Sequence, residues 1–247
     1  QGEPFLALGS LPASLTLNNW QLQLLGNLEE GYLLQSTASL PGDGGTVLLE
    51  VDGEVTTTGV PLLAVQMHVA DAPARRFALQ ADASWQQTLE ANGELALDAF
   101  PWQWLYPVDT GEVSLQQLAM VAQLRGEELN ADLQARLAGV AGQQVNLKAG
   151  VAGTQQQLRV TPLEILTAAG QANGEVDLTL EPAVSWDGRF QLQGIDPAVF
   201  VAALPGDLNG QLNSRGQLQG EQLRLDADWD ISGSLRQQPL VLSGRLE

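Results

Sequence analysis

The feature that most constrains this chain is an alternation of apolar and polar residues kept up from end to end. It is clearest between residues 129 and 137, where Leu129, Ala131, Leu133, Ala135 and Leu137 share one parity. Asn130, Asp132, Gln134 and Arg136 fill the other parity. Successive side chains of a β-strand point to opposite faces, so each such run predicts a strand with one dry and one wet face. The pattern recurs from Leu79 to Trp85, Val145 to Val151, Val176 to Leu180 and Leu223 to Ile231. A protein built of such strands has a large apolar sheet face, and what covers that face decides what the protein does.

Turn chemistry punctuates the alternation. Pro41-Gly42-Asp43-Gly44-Gly45, Asp52-Gly53, Asn92-Gly93, Asn173-Gly174 and Asp187-Gly188 tolerate positive φ and read as tight hairpins. They imply roughly sixteen to eighteen short strands in an antiparallel meander. Two stretches break the rhythm. Around Phe100-Pro101-Trp102-Gln103-Trp104-Leu105-Tyr106-Pro107 the alternation yields to an aromatic cluster, with a short helical element near 99–106. At Asp196-Pro197-Ala198-Val199, Asp at the N-cap and Pro at the first helical position predict a short apolar helix over 197–204.

These interruptions anchor an internal repeat, about 95–150 against about 190–247, with an offset of about 95 residues. No linker separates the units, so the expectation is a single continuous β-segment over 1–247. Two short helices, together under about twenty residues, cannot shield the dry face of so many strands. Three solutions remain: a closed sandwich or barrel, a sheet packed on a partner, or an open trough filled by lipid acyl chains.

Composition excludes several roles. The formal charge is −18, with 11 Lys plus Arg, so no basic face exists to neutralise nucleic-acid phosphates or to adhere to an anionic membrane. Cysteine is absent, which removes disulfides and thiolate metal sites. No apolar run approaches the ~20 residues of a spanning helix, and the start lacks the basic and apolar regions of a signal peptide. The chain reads as an interior fragment whose anchor and targeting signals lie elsewhere.

Chemistry-bearing residues are isolated. Asp226, Asp228 and Asp230 share a parity and could suggest calcium, but they alternate with Leu225, Ala227 and Trp229 as the wet face of a strand does. Glu29-Glu30 and Glu127-Glu128 sit beside turns, and neighbours on a strand face opposite ways. His68 is the single histidine, on the polar parity. Ser84, Ser114 and Ser185 lack a nucleophile-elbow context, and no phosphate-binding loop is present. The chain is expected to be non-enzymatic, with no cofactor and no metal. The Trp102-Trp104-Tyr106 cluster reads either as a lipid-gating or docking element or as a cap packed over one end of the sheet.

Several strings resemble the TamB family of large AsmA-like intermembrane proteins. They are Phe190-Gln191-Leu192-Gln193-Gly194-Ile195-Asp196-Pro197, Leu204-Pro205-Gly206-Asp207-Leu208-Asn209-Gly210-Gln211-Leu212, Gly216-Gln217-Leu218 and Ser232-Gly233-Ser234-Leu235-Arg236-Gln237-Gln238-Pro239-Leu240. Phe100-Pro101-Trp102 and Leu105-Tyr106-Pro107 fit the same family, and the likeness is clearest over about 90–247. The resemblance implies an all-β fold: an elongated, curved antiparallel sheet forming a trough, or β-taco, with short helical inserts. It implies a periplasmic location in a full-length protein anchored in the inner membrane. It also implies work with the outer-membrane barrel TamA through regions outside this chain, and passage of phospholipid between the membranes in support of outer-membrane biogenesis. The alternative is a structural or interaction β-sandwich or solenoid, acting in outer-membrane protein assembly or adhesion without carrying lipid.

Under the trough reading, the acyl chains of phospholipid would meet the dry parity of the best strands. Those residues are Val65, Met67, Leu79, Leu95, Leu97, Leu129, Leu133 and Leu137, followed by Val145, Leu147, Val176, Leu178, Leu192, Leu223 and Leu225.

Overall fold

A computed structural model describes residues 16–27, 29–42, 44–105, 111–140, 142–181, 183–199, 201, 203–219 and 222–246. The chain forms one sheet of fifteen strands, each paired only with its neighbours in sequence. Before the first insert come β1 (Asn18–Asn27), β2 (Gly31–Gly42), β3 (Gly45–Thr56), β4 (Gly59–Val69), β5 (Ala72–Ser84) and β6 (Glu90–Asp98). After an insert follow β7 (Ser114–Arg125), β8 (Glu128–Val140), β9 (Gln143–Gly153), β10 (Gln157–Thr167), β11 (Gly170–Thr179) and β12 (Val184–Ile195). A second insert leads into β13 (Gly206–Gln219), β14 (Gln222–Leu235) and β15 (Gln238–Leu246). Every pairing is antiparallel, and β1 does not meet β15, so the sheet is open and all-β as the alternation predicts. Among the described residues there is no second sheet, so the closed sandwich and the barrel are ruled out.

The turn signals misplace most hairpins. Only the Pro41–Gly45 stretch lies at a connection, with Asp43 outside the described residues. Asp52-Gly53, Asn92-Gly93, Asn173-Gly174 and Asp187-Gly188 all lie inside strands, in register with both neighbours. At Gly174 and Gly188 the missing side chain gives clearance inside the sheet: a Cβ at Gly174 would come within 2.3 Å of the Arg189 carbonyl oxygen and 2.8 Å of the Phe190 ring, and one at Gly188 within 2.9 Å of that ring. The strands are accordingly fewer and longer than expected, at 9–14 residues.

Two of the prolines inside strands sit where a ladder is interrupted. Pro61 falls within a register shift between Val60 and Leu63, and Pro162 within one between Val160 and Leu163. A residue without an N–H is tolerated where the ladder is already interrupted.

Both inserts are shorter than predicted, single 3-10 turns at Trp102–Trp104 and Pro197–Val199. At the second, the Asp196 carboxylate Oδ1 accepts from the Ala198 and Gly206 N–H groups, each at 3.0 Å, which ties the turn to the start of β13. Six strands separate the inserts, and each follows an even-numbered strand, so both leave from the same edge of the sheet.

Candidate functional site: an apolar trough

The register turns the dry parity into continuous tracks. One runs Leu22, Ser36, Val51, Val65, Leu79, Leu95, Met120, Leu133, one residue from each successive strand. It continues through Ala149, Leu163, Gly174, Phe190, Leu212 and Trp229 to Gly244 on β15. Fourteen inter-strand steps at about 4.8 Å make this track about 67 Å long. A parallel track on the insert side links Leu49, Met67, Phe77, Leu97, Leu118, Ala135, Leu147 and Ile165. A third, on the other side, passes through Leu34, Gly53, Leu63, Ala81, Gly93, Ala122 and Ala131, and on through Val151, Val160 and Val176.

All fifteen residues proposed from parity lie on this face. Val65, Leu79, Leu95 and Leu133 stand in the central track; Met67, Leu97, Leu147 and Leu192 stand on the insert side. Leu137 and Val145 pair still nearer the insert edge. Val176, Leu129, Leu178 and Leu225 lie beyond the central track toward the opposite edge, and Leu223 at its margin. Leu97 and Val145 are buried, Leu223 and Leu225 are exposed, and the other eleven are half-buried. Half-burial without a covering layer is what a face turned inward by curvature produces.

Two serines on the apolar face, Ser36 in the central track and Ser214 opposite Gly188 beyond it, each receive a hydrogen bond from an indole. Trp20 Nε1 donates to Ser36 Oγ at 2.9 Å, and Trp186 Nε1 to Ser214 Oγ at 3.1 Å. Parity alone could not reveal these pairs, since each joins residues on different strands. Glycines make room for the rings on the trough floor: a Cβ at Gly216 would fall 2.1 Å from Trp186 Cζ2, and one at Gly244 2.4 Å from Trp229 Cζ2.

The first insert seals one margin. Leu40, Val47, Leu97 and Phe100 form the buried cluster, with Trp102, Trp104, Leu105, Leu115 and Leu118 packed against it. Trp104 reaches across to the β2–β3 connection, where a Cβ at Gly44 would meet its ring at 2.0 Å. The Arg75 guanidinium stacks 4.9 Å over the same ring, and Phe77 and Phe100 tilt together at 6.0 Å. The aromatic cluster is thus a cap over the sheet edge; Tyr106 lies outside the described residues.

The opposite face is mainly polar, although Leu25, Leu33, Leu62, Val121, Leu166 and Val241 stand exposed on it. His68 stands there between Leu48 and Arg76, and Asp226, Asp228 and Asp230 point the same way, with Asp228 accepting from Asn213 Nδ2 at 2.7 Å. Arg159 and Arg189 both reach Glu175, at 2.6 and 3.1 Å. The hydrogen bond from Arg159, reinforced by its charge, holds the Glu175 carboxyl below the usual carboxylate range. Among the described residues no group of three potential ligands is placed to hold a metal, and no helix is long and apolar enough to cross a membrane.

A family model described as TamB, N-terminal domain, matches residues 102–247, more than half of the chain. The chain belongs to the TamB family. It is 27% identical over 239 residues to the translocation and assembly module subunit TamB of Haemophilus influenzae, a match covering 91% of this chain. The chain spans 17% of that relative's length. No solved structure matches. Membership in TamB agrees with the open curved sheet, and the second insert with its flanking strands, from which the resemblance was read, lies within the matched region.

Proposed function

We propose that this chain is a segment of a non-enzymatic, periplasmic groove that carries phospholipid acyl chains between the inner and outer membranes and so supports outer-membrane biogenesis. The observation that carries the reading is the mainly apolar track that takes one paired residue from each of the fifteen strands. A hydrocarbon chain needs no specific pocket there: each methylene removed from water is worth about 0.8 kcal/mol wherever it lies on the track. The full-length protein would be anchored in the inner membrane and would engage the outer-membrane barrel TamA, both through regions beyond this chain. The relative's name, a subunit of a translocation and assembly module, favours a second reading, in which the sheet serves protein assembly and carries no lipid.

Leu133→Asp and Leu178→Arg, made in the full-length protein, separate the two. Each places an ion on the apolar face, Leu133 in the central track and Leu178 beyond it, at a half-buried position that retains some water. Under the groove reading, lipid transfer between vesicles falls sharply while thermal stability changes little. Loss of folding without a separable transfer defect defeats it, as does purified protein that carries no phospholipid in native mass spectrometry.

A further inference from the structure

The chain has two methionines and no cysteine, so Met67 and Met120 are its most readily oxidised side chains. Both stand on the apolar face, and both are half-buried, open to a small solute. Their surroundings differ. Met67 lies across the ladder from Phe77, and both pack against the buried cluster beside the first insert. A thioether beside an aromatic ring is favourably placed, and the cluster shields it on that side.

Met120 stands outside that cluster, near the middle of the central track, between Leu95 and Leu133 on the neighbouring strands. Leu118 and Ala122 flank it along β7, and the diagonal positions on β6 and β8 are glycine, alanine and leucine. No side chain in this ring can donate a hydrogen bond. The backbone N–H groups of β7 are committed to the ladders on its two sides.

We propose that Met120 is an oxidation site whose modification interrupts the apolar track. A two-electron oxidant of the peroxide class transfers one oxygen atom to the thioether. The O–O bond breaks, the sulfur is oxidised to the sulfoxide, and hydrogen peroxide is reduced to water. The new S–O group is a strong acceptor with no donor among its neighbours, so it holds water at a point that an occupant of the track must pass. This consequence rests on the groove reading; the modification itself does not. Methionine sulfoxide reductases reverse the step, one enzyme for each sulfur epimer, so the interruption is reversible.

Graded hydrogen peroxide treatment of the full-length protein tests this. Sulfoxide at each methionine is followed by peptide mass mapping, and phospholipid transfer between vesicles and the thermal midpoint are measured on the same samples. Sulfoxide is expected several-fold faster at Met120 than at Met67. Transfer is expected to fall several-fold in step with oxidation of Met120, at an unchanged midpoint, and to return after treatment with both reductases. Each variant is compared with its own untreated rate. Met120→Leu, a swap of similar volume, is expected to keep most of that rate after peroxide, whereas Met67→Leu loses as large a fraction as wild type. Equal fractional loss in Met120→Leu and wild type overturns the proposal, as does complete oxidation of Met120 with transfer unchanged. A loss that appears only with unfolding, or oxidation of Met67 first, overturns it too. Untreated protein that transfers no phospholipid defeats the groove reading, and the interruption falls with it.

Discussion

Leu97→Ala should cost this protein far more than Leu223→Ala, although both leucines lie on one face of one sheet. Leu97 is 6% exposed and pairs with Phe77 and Leu118 in the cluster closed by Phe100. Truncating a leucine in such a site loses the transfer free energy and leaves a cavity, about 2–5 kcal/mol together. The rigid rings of Phe77 and Phe100, 6.0 Å apart, limit collapse and favour the upper half of that range. Leu223 is 60% exposed. Full burial of a leucine is worth about 1.5–3 kcal/mol, so under half of that contact leaves about 1 kcal/mol or less to lose. Guanidinium unfolding followed by tryptophan fluorescence measures both, and Trp102 and Trp104 report locally on the Leu97 cluster. Costs that agree within about 0.5 kcal/mol would show that the insert does not pack the edge, and the sealed margin would have to be abandoned.

Removing the guanidinium in Arg75→Ala should red-shift emission from Trp104 and destabilise by about 0.5–2 kcal/mol, because the stacked cation and the hydrogen bond to the Ala99 carbonyl go together. A steady spectrum and midpoint would argue against the stacking. Asp196→Ala should cost about 1 kcal/mol by freeing two backbone donors, while Asp196→Asn retains most of it; equal losses would discount the cap. Glu175 should titrate below the ordinary glutamate range by NMR and move upward in Arg159→Gln. Because its folded pKa is depressed, its stabilising effect is present above the ordinary carboxylate range and disappears as pH falls through the folded value. Gly216→Val should expel the Trp186 ring and break its bond to Ser214, read as a change in near-ultraviolet circular dichroism; an unchanged spectrum would refute the ring's seat over Gly216.

Faces were legible in the chain where boundaries were not. Parity depends on a period of two, which Leu129 to Leu137 displays without interruption, so the dry side of β8 follows directly. Hairpin signals such as Asn173-Gly174 mislead because glycine serves two masters, positive φ at a turn and clearance inside a sheet. Only the position of Phe190 on the next strand tells them apart. The sealed edge was invisible for a similar reason. Leu40, Val47, Leu97 and Phe100 are scattered in sequence, and no local pattern distinguishes their leucines and valine from exposed ones such as Leu218 and Val184 on the opposite edge. The Asp196-Pro197 start was readable since a cap is a short-range device.

The neighbour-only pairing of the fifteen strands has a consequence for how such a chain comes into being. Every ladder joins segments adjacent in sequence, so contact order is low for an all-β protein, and no strand must wait for a distant partner. The sheet can grow in the order in which the polypeptide is made, each new hairpin templated on the last. Length is then a free variable: adding or deleting a pair of strands lengthens or shortens the array without rethreading the rest.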